Sequence, residues 1–138
     1  MKFTLLTIIL TLLNVDLNAQ CNLKVKVENI DVSKKGSLKI GLFNESGFLQ
    51  DDKAIAGKYI NISSNSMIIE FQQLKKGNYA VAVFHDHIQD KKLTKNTFGY
   101  PIEPYAFSRN AKGFMGPPSF EETSIQLTEK EKTITIKL

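Results

Sequence analysis

From residue 22 onward, apolar and polar side chains take turns along the chain in short runs separated by turn residues. Leu23-Lys24-Val25-Lys26-Val27-Glu28 is the first such run. A strand sends successive side chains to opposite faces, so this spelling predicts a half-buried strand. Ser33-Lys34-Lys35-Gly36 then reads as a turn, and Ser37 to Phe43 (SLKIGLF) resumes the alternation. Residues 44–58 lose it and read as a loop with room for one helical turn. Tyr59 to Ile62 predicts a short strand and Met67 to Phe71 a clearer one, before a turn over Leu74-Lys75-Lys76-Gly77. Asn78 to Phe84 (NYAVAVF) is almost wholly apolar, as a central strand covered on both faces should be. Residues 86–120 are irregular. Thr123 to Leu127 and Thr133 to Leu138 predict two closing strands around a turn at Thr128-Glu129-Lys130-Glu131, the last one rich in β-branched residues.

About seven short strands with frequent turns and no sustained helical period predict an all-β fold. An antiparallel β-sandwich of immunoglobulin-like or transthyretin-like type fits best, with an up-and-down barrel as the alternative. No internal repeat is present. The start of the chain has a different character. Lys2 precedes the apolar run Leu5 to Leu13, which ends at Asp16 and Asn18 before the small residue Ala19. That order predicts a signal peptide over residues 1–19, leaving residues 20–138 as one β-sandwich domain. The apolar run is too short for a stable membrane span, and no second one follows, so no transmembrane segment is expected in the mature chain. The expected location is therefore periplasmic or secreted. Cys21 is the only cysteine, which rules out an internal disulfide. Gln20 stands where a lipidation signal needs a small residue, and this argues against a lipid anchor on Cys21.

The formal net charge is +4, and the lysines are dispersed rather than gathered into a stripe. No nucleic-acid partner is expected, since that role needs a basic face with a recognition motif or stacking aromatics.

Chemistry-bearing residues concentrate after the central strand. Both histidines, His85 and His87, lie two apart at its end, and continuation of the strand would put them on one face. With Asp86 and Asp90, or Glu103, they form a candidate zinc or copper site, although nothing in the spacing fixes a third ligand. His85, Asp86 and Glu103 could also serve hydrolysis, but no serine lies in a nucleophile motif. Glu121-Glu122 and Asp51-Asp52 are neighbours in sequence and would point opposite ways on a strand, so neither makes an acid–base couple. An enzyme is accordingly not expected. The segment Thr97 to Phe120 holds all four prolines and six aromatics. Loops this long in a compact domain are functional or folded down as a unit. Two roles share the residues: Phe98, Phe107 and Phe120 would cap the open end of the sandwich. Tyr100, Glu103, Tyr105 and Arg109 would form an outward binding platform.

Four motifs in this order resemble the bacterial domain-of-unknown-function family 2141. They are Gly77 to Asp86 (GNYAVAVFHD), Phe98 to Glu103 (FGYPIE), Tyr105 to Ser108 (YAFS) and Gly116 to Phe120 (GPPSF). The resemblance implies a short exported protein of one domain and names no reaction or ligand. In many members the segment after the His-Asp pair resembles a calcium loop. Here Asp86 and Asp90 fit that pattern. Ile88, Lys91 and Thr94 replace an oxygen ligand, the glycine and a carboxylate, and Lys91, Lys92 and Lys95 add positive charge. Calcium is therefore not expected, and the expected cofactor is none, with zinc or copper as the alternative. The combined expectation is an exported, non-catalytic binding or interaction module of the cell envelope, its partner a glycan, peptide or protein. The alternatives are a metal-binding module at His85 and His87 or a structural accessory without a small ligand.

Overall fold

The computed structural model describes residues 20–138, and these form an all-β domain of two sheets packed face to face. The expected signal peptide lies outside the described residues. Strand β1 (Cys21–Glu28) is the middle of a three-stranded sheet between β4 (Met67–Leu74) and β8 (Glu131–Lys137). The second sheet runs β3 (Ala56–Asn61), β2 (Ser37–Phe43), β5 (Gly77–Asp86), β6 (Tyr105–Phe107), and β7 (Ile125–Leu127) adds to the start of β5 at Gly77–Tyr79. Every pairing is antiparallel except β1 with β8, which is parallel. Alternation specifies which face a side chain takes and is silent on strand direction.

The core forms where the alternation said it would. Leu23, Val25 and Val27 of β1 and Leu38, Ile40 and Leu42 of β2 are buried against Ile69, Phe71, Val81 and Ile136. Each such side chain contributes about 1.5–3 kcal/mol on leaving water. Cys21 is also buried in this core.

Three details depart from the sequence expectation. There are eight strands among the described residues, because β6 falls inside the segment expected to be irregular. It is only three residues long and follows Pro101 and Pro104, so no alternation could announce it. Strand β3 begins at Ala56, within the expected loop. Thr123, expected to open a strand, instead ends the short helix α1 (Phe120–Thr123). The cause is a capping box: the Ser119 hydroxyl accepts from the Glu122 N–H at 3.2 Å, and the Glu122 carboxylate accepts from the Ser119 N–H at 2.7 Å.

Candidate functional site

Strand register puts a defined set of side chains on the outer face of the larger sheet. Lys39 pairs with Tyr59 on one side and Phe84 on the other, and Phe84 pairs with Tyr105. The residues of such a row point the same way, so Tyr59, Lys39, Phe84 and Tyr105 stand in line across four strands. The adjacent row reads Gly57, Gly41, Ala82, Phe107. Long or aromatic side chains thus stand beside a strip whose first three positions, Gly57, Gly41 and Ala82, carry almost none. A Cβ on Gly41 would lie 2.8 Å from the Phe43 ring, so this glycine makes room for that ring to lie across the strand.

The loops on either side turn this face into a groove of about 1010 Å³. Lys91, Lys95, Phe98 and Tyr100 line it from the segment after β5, and Met115 and Pro117 from the segment before α1. Lys39, Lys58, Lys91 and Lys95 line the groove against the single acid Asp51. The Lys39 ammonium donates to Asp51 and to the Lys91 carbonyl, at 2.7 and 2.9 Å. The Lys91 ammonium lies 5.3 Å from the Tyr59 ring centroid, within cation–π range.

Asp86 closes one end of this face. It is fully buried, and its carboxylate accepts from the Tyr59 hydroxyl at 2.8 Å, the Gln89 N–H at 2.8 Å and the Lys91 N–H at 2.7 Å. Burial pushes this carboxyl up. The bonds from Tyr59 and from the backbone of Lys91, Gln89 and Asp90 more than offset it and hold the group below the usual carboxylate range. Tyr59 is moved the other way, first by burial and then by its bond to Asp86, so its phenol stays protonated above its ordinary range. The loop that Asp86 organises folds without the glycine its spacing calls for: Lys91, at the glycine position, takes φ of 62° itself.

Glu103 comes back to the same place from the middle of the irregular segment, just before β6. One oxygen from each of Asp86, Asp90 and Glu103 lies within 4.8 Å of the other two. Glu103 is 2% exposed, and both its carboxylate oxygens are without a hydrogen-bond partner. No ion pair among the described residues involves these three acids; the pairs present are Lys24–Glu131, Lys26–Glu28 and Lys39–Asp51.

The sequence candidates therefore separate into two places. Tyr100 and Tyr105 line the groove, and Asp86, Asp90 and Glu103 converge beside it. Arg109 joins neither: its guanidinium donates to the Glu121 carbonyl at 3.2 Å, at α1. The two histidines do not enter the three-acid group. Strand β5 ends at Asp86, so His87 lies beyond it and the shared strand face expected for the pair does not form. Their rings meet edge to face at 6.1 Å, and the buried His85 donates from Nε2 to the Lys35 carbonyl. Of the three phenylalanines expected to cap the sandwich, Phe107 is buried and Phe120 packs on Phe48 at 5.7 Å. Phe98 is 85% exposed at the groove. It sits one residue before Gly99, in a tight turn where the Asn96 side chain accepts from the Phe98 and Tyr100 N–H groups.

A model of the family described as an uncharacterized protein conserved in bacteria, DUF2141, matches residues 25–135. The chain belongs to this family. No curated protein matches it, and no solved structure does. In this DUF2141 domain the matched span runs from within β1 to within β8 and takes in both the groove and the acidic cluster. The groove residues that sequence reasoning missed are Lys39, Tyr59 and Phe84. The alternation showed that Lys39 faces outward, but only the register brings it between two aromatics.

Proposed function

We propose that this domain is an exported, non-catalytic binding module that recognises an anionic glycan along the outer face of its larger sheet. The observation that carries the reading is the row Tyr59, Lys39, Phe84, Tyr105, set in a groove where four lysines face one acid. Sugar rings are flat enough to lie on aromatic faces, and lysines attract carboxylate or sulfate groups without demanding one geometry. A peptide added as a further strand would extend a sheet edge, and the groove lies on a sheet face. The groups that hydrolysis would need are tied into the scaffold. The His85 ring is buried and bonded to the Lys35 carbonyl. The buried Ser108 hydroxyl is committed to the Val81 N–H and the Thr123 carbonyl. Export rests on the leader pattern of residues 1–19.

The test is affinity for polygalacturonate and sulfated dextran against neutral dextran, measured for the mature domain and for Tyr105→Ala and Lys95→Ala. Both side chains are exposed, so neither change should unfold the domain. The expected result is binding to the anionic polymers alone, weakened about tenfold by Tyr105→Ala, in line with the ~1.4 kcal/mol of one aromatic contact. Equal binding to neutral dextran, or an unchanged affinity in Tyr105→Ala, would refute the reading.

A further inference from the structure

We propose that Asp86, Asp90 and Glu103 form a calcium site that fastens the segment returning to β6 onto the end of β5. The spacing fits an ion. Two ligands on opposite sides of a calcium ion stand at most about 5 Å apart, given bonds of about 2.3–2.6 Å. The three acid oxygens lie within 4.8 Å of one another.

Glu103 supplies the independent reason to expect a ligand. It is 2% exposed and presents two oxygens with no donor. A carboxylate removed from water and left without donors is costly, and a bound cation removes that cost. The neighbouring lysines do not serve. Lys39 is engaged by Asp51 and Lys91 lies over Tyr59. A further buried oxygen without a partner, the Thr94 hydroxyl, belongs to a residue whose carbonyl accepts from the Ile102 N–H at 2.9 Å, one position from Glu103.

The donor set selects the metal class. Carboxylate and hydroxyl oxygens suit calcium or magnesium, and zinc or copper would draw on imidazole or thiolate. Calcium is favoured over magnesium because these donors come from two separated segments, and calcium accepts irregular geometry where magnesium demands an octahedron. Counting donors only within residues 86–96 gives too few, since Ile88 stands where an oxygen would and Thr94 offers a hydroxyl in place of a carboxylate. The missing carboxylate arrives from Glu103, beyond the loop. Asp86 is already held by the N–H groups of Gln89 and Lys91, so its part of the site is fixed in advance.

The experiment uses the mature domain stripped by a chelator, then given calcium, magnesium or zinc singly, with calorimetric titration and thermal unfolding. The expected result is one calcium per chain and a midpoint raised by about 5 °C or more at saturating calcium. Magnesium should give a smaller shift. Glu103→Gln should lower calcium affinity at least about tenfold. Asp90→Asn alters an exposed carboxylate and should weaken binding in a domain that still folds, so it carries the test if Glu103→Gln does not fold. Absence of calcium heat and midpoint shift at millimolar calcium would overturn the proposal. So would a calcium response unchanged in Asp90→Asn, or a zinc response lost in His87→Ala with calcium silent.

Discussion

Replacing Ser108 by alanine removes one oxygen atom and strands two buried backbone groups. Strand β6 pairs with Ala82–Phe84 of β5 and β7 pairs with Gly77–Tyr79, so the two short strands leave a gap between them. The Ser108 hydroxyl, fully buried, fills it by accepting from the Val81 N–H at 3.0 Å and donating to the Thr123 carbonyl. Alanine fits the space but offers neither bond. A buried backbone group left unsatisfied costs about 1–3 kcal/mol, so the pair should cost about 2–6 kcal/mol. Against a total of about 5–15 kcal/mol, that is a large fraction. In urea the unfolding midpoint should fall by about 1–3 M with an unchanged slope, taking about 2 kcal/mol per molar for a chain of this size. A loss below about 0.5 kcal/mol, the size of an ordinary surface substitution, would refute the bridging role.

Gly36 and Gly99 both have φ near +85°, at 87° and 82°, but their surroundings differ. A Cβ on Gly36 would stand 2.4 Å from the Asp86 carbonyl oxygen and 2.7 Å from the His87 Cα, whereas one on Gly99 meets nothing within 4 Å. Gly36→Ala should therefore cost more than about 3 kcal/mol and Gly99→Ala only about 1–2 kcal/mol by denaturant titration; equal losses would contradict this. Tyr79 supplies a pH test. Burial, then the nearby Cys21, hold its phenol above the ordinary range, so its folded value exceeds the unfolded value. Its contribution is then whole below the unfolded value of about 10 and is lost as pH rises through the folded one. Unfolding between pH 9 and 12 should show a smaller alkaline decline in Tyr79→Phe. That variant should also be about 1 kcal/mol weaker at pH 7, having lost the 2.6 Å bond to the Lys75 carbonyl.

What the sequence made legible was what period two controls. The inward set of β1 and β2 could be read residue by residue, because each of those strands is long enough to repeat its pattern, whereas β5 is apolar on both faces and announced only its central place. Strand β6 has three residues and repeats nothing. The gathering of Asp86, Asp90 and Glu103 was half visible. Asp86, Asp90 and Glu103 are each candidate ligands in the sequence, but that Glu103 joins the other two depends on where the loop after Asp90 returns. The Ser-x-x-Glu signature at Ser119 was present in the sequence and outweighs the strand propensity of Thr123. Phe98 shows the opposite failure. Its apolar ring suggested burial, while the Asn96 side chain fixes the turn that carries it outward.

The parallel pairing of β1 with β8 sets an order on folding. Asn22 lies opposite Glu131 and Glu28 opposite Lys137, so the register joins segments about a hundred residues apart. Closing a loop of that length costs about 4 kcal/mol before any contact rewards it. The larger sheet depends on β2, β3 and β5, which lie much nearer one another in the chain, and it can assemble while β8 is still distant. The smaller sheet, with β1 at its centre, must wait for the last strand. Until that strand docks, one edge of β1 is unpaired. The domain's contact order is thus raised by one late event, and the rate of reaching the native state should follow the arrival of Glu131 to Lys137.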